Sequence, residues 1–280
     1  MAAVVGQQLA GELAPVPPRV RTGAIRRFPY WRWIILVIAG LYFALPLYAG
    51  FRFAGISSFP SVASQEGFSA AFTLSLRLAA ITTVLTLVLM VPTVIWVHLR
   101  LPKVRRIMET ITILPIVIPP VVMAAGIAFV QANLGGPVFR ALFASSTTAL
   151  TPFYVVLALP FAYRAVDNGL AAFPLRTLVE AARNLGASMA TALLRVVLPA
   201  IRSAVLGAAF LTLALVLGEI VIARILLYTD TFPIAIVEVG RSTAGVAVAL
   251  SLASLLITWV LLLAVSFAGG RRTRSEGSSS

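Results

Sequence analysis

The chain has 280 residues, 60% hydrophobic and 11% charged, where soluble domains average roughly 45–50% and 25%; it reads as a polytopic membrane protein. Its 22 Lys and Arg against 9 Asp and Glu give a net charge of +13, but nearly all of the basic residues sit at the ends of apolar runs, which argues against a nucleic-acid partner. With no Cys and a single His, His98, the chain has no disulfides or thiol chemistry and almost no metal-ligand chemistry, so no cofactor is expected.

Residues 1–32 form a tail of Ala, Pro, Gly and Arg with no cleavable signal pattern. It is expected to be loosely ordered, like the Gly/Ser-rich end at Ser275–Ser280. A spanning helix needs about 20 mostly apolar residues, and six runs qualify: Trp33–Phe51, Ala70–Val97, Ile111–Gln131, Thr147–Val166, Ala204–Leu227 and Ala244–Gly269. The fourth is the weakest, because Pro152 and Pro160 interrupt it. Residues 33–269 are thus a transmembrane domain, with a polar insert at 167–203 and a tail at 270–280.

Charge sets the orientation. Arg19, Arg21, Arg26, Arg27 and Arg32 precede the first span; Arg100, Lys103, Arg105 and Arg106 follow the second. Arg164, Arg176, Arg183, Arg195 and Arg202 follow the fourth, and Arg271, Arg272 and Arg274 follow the sixth. The other links carry only Arg52, Arg140 and Arg241. The predicted fold is therefore all-α integral membrane, six transmembrane helices with both termini in the cytoplasm, and the long insert lies on the same side. No internal repeat is visible, so the chain supplies one half of a translocation pathway.

Within the insert, Leu175, Leu178, Val179 and Ala182 recur at i, i+3, i+4 and i+7, an apolar helical stripe. Pro174 suits the first turn, Gly186 suits a left-handed helix end, and Ser188 suits the N-cap of a second short helix, Met189–Val197. Pro199 starts or kinks the fifth span. Ala181 and Ala182 let a partner surface approach the backbone, and Glu180 offers a carboxylate within the loop or across an interface. An amphipathic helix resting on lipid headgroups would show a similar stripe.

The series Glu180-Ala181-Ala182, three residues, Gly186, nine residues, then Val196-x-Leu198-Pro199 resembles the signature loop of ABC-importer permeases, with Val196 where that family usually has Ile. The segment Leu114-Pro115-Ile116-Val117-Ile118-Pro119-Pro120-Val121-Val122, and less specifically Gly218-Glu219-Ile220-Val221-Ile222-Ala223, resemble type I importers of polyamines, ferric iron, thiamine, phosphonate and sulfate. The resemblance covers the second to sixth spans. It implies that Glu180, Ala181, Ala182, Gly186, Val196, Leu198 and Pro199 couple the chain to a separate ATPase. The implied complex contains a second permease subunit, expected to be a paralogue, two cytoplasmic ATPase subunits and an external solute-binding protein. It sits among lipid in a bacterial plasma (inner) membrane. This chain hydrolyses nothing itself, and its sequence has no Gly-rich phosphate loop.

Inside the apolar runs, Glu219 is the one clear carboxylate; buried ionisable groups usually face the bundle interior. It is expected to pair with Arg77 or Arg224 as a packing device, or to line the pathway and meet a cationic solute. Arg77, Glu219 and Arg224 are accordingly the pathway candidates. The subgroup and Glu219 together suggest a polyamine such as spermidine or putrescine. The prolines of the third span predict a kink, Ala124-Ala125-Gly126 a close helix contact, and His98 an interfacial residue. The competing class, an ion-coupled secondary transporter, would carry several intramembrane carboxylates and a repeat.

Overall fold

A computed structural model describes residues 30–63, 67–133, 136 and 147–270. The N-terminal tail before Tyr30, Arg140 and the C-terminal arginines lie outside the described residues. The chain forms two compact units, residues 1–46 and 47–280, and the regular structure of the described residues is helical, with no strand among them, as the all-α reading requires. Helix α1, Tyr30–Ala54, carries the first apolar run, and its large side chains from Tyr30 to Phe53 are exposed. A helix of this length, apolar on all sides between Arg32 and Arg52, belongs in lipid.

In the second unit a short α2 (Ser58–Ala63) precedes α3 (Phe68–Arg100). At 33 residues, α3 is about 50 Å long, more than the roughly 30 Å of hydrocarbon, so its ends project beyond the bilayer. The third span is not one rod. Helices α4 (Arg105–Val117) and α5 (Pro120–Asn133) meet at 92°, far sharper than a proline kink. Ile118 is extended (φ −82°, ψ 118°), as the residue before a proline prefers, and two prolines in succession leave Pro119 and Pro120 no amide to continue the ladder.

Helix α6 (Thr151–Ala171) is the centre of the unit, packed on α3 and on α10 (Arg202–Gly218). Tyr154, Ala158, Ala162, Tyr163, Val166 and Leu170 are each at most 1% exposed. That position explains its weak hydropathy: a helix screened from lipid by its neighbours can carry Arg164, Asp167 and prolines. Among the described residues four helices are long and apolar enough to cross a membrane, α1, α3, the stretch Arg202–Ile225 and α13 (Ala244–Gly270); the bent α4–α5 pair is a fifth candidate. The expected fourth span exists as α6 but falls outside that set.

The fifth span is also interrupted. Its backbone turns extended at Glu219 (φ −77°, ψ 123°) and helix restarts as α11 (Val221–Ile225). Helix α12 (Phe232–Ser242) then leads into α13. The core divides into two clusters. One gathers the C-terminal halves of α3 and α6 and the start of α10 under the insert; the other gathers the N-terminal part of α3, Ala124, Tyr154, Val216 and Ile222 at the opposite end.

Candidate functional site

The insert folds as α7 (Leu175–Asn184), α8 (Met189–Ala192), a π-helical turn at Leu193–Val197 and α9 (Leu198–Ala200). Pro174 stands at the cap just before α7 rather than inside its first turn. Either place suits a residue with no amide to offer. At the far end Gly186 is left-handed (φ 87°). Its N–H donates to the Arg183 carbonyl at 2.9 Å and Ala187 N–H to the Ala182 carbonyl at 3.1 Å, the paired bonds of a Schellman stop. Ser188 caps α8 through its Oγ, which accepts from Thr191 N–H at 3.1 Å.

The apolar stripe faces inward: Leu175 and Val179 are buried, Leu178 and Ala182 half-buried. Glu180, Ala181, Arg176 and Arg183 face out, with Leu185 at 89% exposure beyond them. The two alanines are thus divided: Ala181 is available to a partner surface, whereas Ala182 packs against the chain's own core. Arg100, at the end of α3, joins Arg176, Glu180 and Arg183 around a cleft of about 410 Å³. Further on, Val196 and Leu198 are half-buried and Val197 fully buried, while Pro199 is exposed. The π turn, with Leu198 N–H reaching the Leu193 carbonyl, adds the residue that turns Val197 and Leu198 onto the core ahead of Pro199. π turns are rare and concentrate at functional sites.

At the opposite end, Glu219 pairs with neither Arg77 nor Arg224. Its Oε1 accepts from Val221 N–H at 2.8 Å and Ile222 N–H at 3.0 Å, capping the restarted helix α11. Glu219 is 9% exposed, and its Oε2 is buried with no hydrogen-bond partner among the described residues. A broken helix inside a bilayer must satisfy its freed amides internally, and this carboxylate does so. Arg224 instead approaches Glu238 of α12 at 3.8 Å, and Glu238 also binds Arg241 at 2.9 Å.

Arg77 has no ion pair among the described residues. With Ser69 and Thr73 it forms an i, i+4, i+8 polar stripe on the exposed face of α3, lining a cavity of about 710 Å³ closed on the other side by Thr229, Asp230 and Ala235. The far wall is anchored where Phe232 N–H donates to Ser75 Oγ at 2.8 Å and the Phe232 ring meets Phe68 and Phe72 at 5.3 and 5.2 Å. Of the expected small-residue contact, only Ala124 packs closely; nothing lies within 4 Å of a Cβ built on Gly126.

Over residues 93–271 the sequence matches the family of binding-protein-dependent transport system inner membrane components. The chain belongs to this family. It is also similar to a probable molybdenum ABC transporter permease protein of Haloferax volcanii, 30% identical over 266 residues that cover 88% of this chain and 95% of that relative. The protein is therefore the permease subunit of an ABC importer, a multi-pass inner-membrane transport subunit and not an enzyme. As in the family generally, an ATPase and a solute-binding protein are its partners.

One cluster escaped the sequence reading altogether. At the Arg-rich end of the permease, Asp167 of α6 is held by Arg105 of α4, Nε to Oδ1 at 2.9 Å and Nη2 to Oδ2 at 2.7 Å. His98, expected at the membrane interface, is largely enclosed instead. Its Nδ1 lies 3.1 Å from the Val94 carbonyl, and its Nε2 lies 3.5 Å from Asp167 Oδ1. The only sequence signal was an acidic residue at the end of an apolar run rich in arginines. Among the described residues no group of His, Cys or carboxylates is arranged to hold a metal.

Proposed function

We propose that this permease subunit conducts a small oxyanion of the molybdate kind, driven by an ATPase that docks on α7 through Glu180, Ala181 and the turn at Gly186. A second permease subunit completes the pathway, and two ATPase subunits and an external binding protein complete the importer. In this reading ATP binding draws the ATPases together, α7 passes the movement to α6 and α10, and the pathway opens outward to receive solute. Hydrolysis reverses the change and releases solute inward.

The observation that carries the substrate class is Arg77. A guanidinium about 14 Å along α3, within an apolar span and without an ion pair among the described residues, is costly to leave uncompensated, and such ionisable groups line solute pathways. Its neighbours Ser69 and Thr73 supply hydroxyl donors, which suit a tetrahedral oxyanion. Glu219, which had suggested a cationic solute, spends one oxygen on the α11 amides and does not line this cavity. The name of the Haloferax relative points the same way.

A polyamine is the second reading, favoured by Asp230 on the same cavity wall. Calorimetry of the cognate binding protein against molybdate, tungstate, sulfate, spermidine and putrescine decides between them. Binding of an oxyanion, together with oxyanion uptake lost in an assembled Arg77→Ala complex, is the expected result. Binding of spermidine or putrescine alone would overturn the oxyanion reading.

A further inference from the structure

We propose that the Arg105–Asp167–His98 cluster is the positioning device that carries the coupling stroke from α6 to the α3–α4 hairpin, so that the second, third and fourth spans respond to ATP as one body. The inference rests on the coupling role of α7 but adds a specific transmission contact that the motif does not contain.

Asp167 is enclosed, its side chain 8% exposed, and it takes both arms of the Arg105 guanidinium in parallel. Such bidentate pairs fix orientation as well as distance. Tyr163, one turn earlier on α6, donates its hydroxyl to the Arg105 carbonyl at 3.4 Å, so backbone and side chain of Arg105 are both tied to α6. His98 brings in the last turn of α3: its Nε2 faces the same carboxylate, with the ring oriented by the Val94 carbonyl. Only residues 101–104 separate α3 from α4, so at the bend of the hairpin Asp167 binds the α4 arm and packs against His98 of the α3 arm. A second pair, Glu109–Arg164 at 2.9 Å, joins α4 and α6 nearby but is roughly half-exposed.

The position relative to α7 gives the cluster its role. Helix α6 ends at Ala171 and α7 begins at Leu175, so Asp167 lies about two helical turns from the coupling helix. Any displacement of α7 reaches Asp167 before it reaches the membrane-embedded part of α6. Without the clamp the hairpin is left with apolar contacts, one long Tyr163 hydrogen bond and the half-exposed Glu109–Arg164 pair, which permit sliding; with it, α3 must follow, and α3 bears the Ser69–Thr73–Arg77 face of the pathway.

The test uses the complete importer in vesicles, with an environment-sensitive fluorophore on Ala80→Cys, an exposed position of α3 outside the cavity lining; the permease has no cysteine of its own. In the otherwise native complex, ATP shifts the fluorescence. Arg105→Lys, which keeps the charge on Asp167 but loses the paired geometry, and Asp167→Asn are expected to cut that shift about fivefold or more, the lower end of typical coupling strengths. ATP hydrolysis and complex yield should stay within about twofold, the scale of context variation in single contacts. Glu109→Gln should leave the shift intact.

An unchanged shift in both clamp variants overturns the proposal. So does a loss of hydrolysis in step with complex yield, or failure of both variants to assemble; either outcome makes the cluster a folding staple. If the native complex shows no ATP response while the ATPases remain bound, the coupling reading itself fails, and that result is distinct from any obtained with the clamp variants.

Discussion

Replacing Gly169 by Ala probes the tightest approach at any described glycine of the permease. Gly169 lies near the end of α6, facing the start of α10, and a Cβ built there would stand 2.2 Å from the Ala204 Cβ and 3.9 Å from the Ile201 Cβ. Even a severely tight 3.0 Å contact needs the pair to separate by 3.0 − 2.2 = 0.8 Å. The opposing atom is a methyl fixed to the backbone, so no rotamer relieves it, and the helices themselves must part. Overpacking of this sort costs about 1–3 kcal/mol, and the better helix propensity of Ala returns up to about 1 kcal/mol. The net loss of roughly 1–2 kcal/mol corresponds to a melting temperature lower by about 2–8 °C for a chain of this size. Thermal unfolding of the detergent-solubilised complex, followed by tryptophan fluorescence, measures it. Ala204→Gly removes the opposing methyl, so the Gly169→Ala/Ala204→Gly double variant should recover most of the loss, a coupling that independent sites would not show. A melting temperature unchanged or raised in Gly169→Ala, or no recovery in the double variant, would refute the close crossing on which the α6–α10 core depends.

Other substitutions test the two ends of the molecule. Gly186→Val forces a β-branched residue to φ 87° with open space around its Cβ, so the cost is conformational, about 1–2 kcal/mol or more; ATPase co-purification should fall, while Gly186→Asn, which tolerates this conformation, should keep it. Glu219→Gln retains an oxygen for the Val221 and Ile222 amides, so assembly and uptake should both persist, whereas Glu219→Ala strands those amides at about 1–3 kcal/mol each and should lower complex yield. Uptake lost in a fully assembled Glu219→Gln complex would instead assign the charge a part in the pathway. Ser75→Ala leaves the Phe232 amide without its acceptor and should lower the melting temperature by a few degrees, consistent with about 1–3 kcal/mol for a buried orphaned donor.

What could be read from sequence was what neighbours in sequence decide. Gly186 and Ser188 announced a helix stop and a helix start because caps are built within a few residues, and the structure forms both. The stripe of Leu175, Leu178, Val179 and Ala182 fixed which side of α7 faces the core, and so which side Glu180 presents outward. The Pro119–Pro120 pair signalled a bend, but its 92° depends on how α5 packs beyond it, and hydropathy summed over residues 111–131 treats a right angle as a line. The expected pairing of Glu219 with Arg77 or Arg224 does not form, because a list of side chains shows only charge partners, whereas its acceptor oxygen answers backbone amides freed by a helix break that no residue type announces. The Asp167–Arg105 pair joins residues 62 positions apart, and nothing local marks either one as different from the surrounding surface charges.

The helix break at Glu219 also bears on how this permease divides labour between its ends. Breaks occur in two neighbouring spans, between α4 and α5 and between α10 and α11, and α5 packs on α11 with Ala124, Ile222 and Ala223 in one cluster. Each break frees backbone groups that a bilayer will not solvate. One break reduces the problem by placing prolines where amides would have been orphaned; the other answers it with a carboxylate. Because Glu219 Oε1 is committed to two amides, releasing it to bind a passing solute would strand both donors at once, a penalty of a few kcal/mol set against one transient contact. Arg77 carries no such obligation among the described residues. Among the described residues Arg77 is therefore the pathway candidate with no bond to release, while Glu219 keeps one oxygen on the α11 amides and holds its buried Oε2 without a partner.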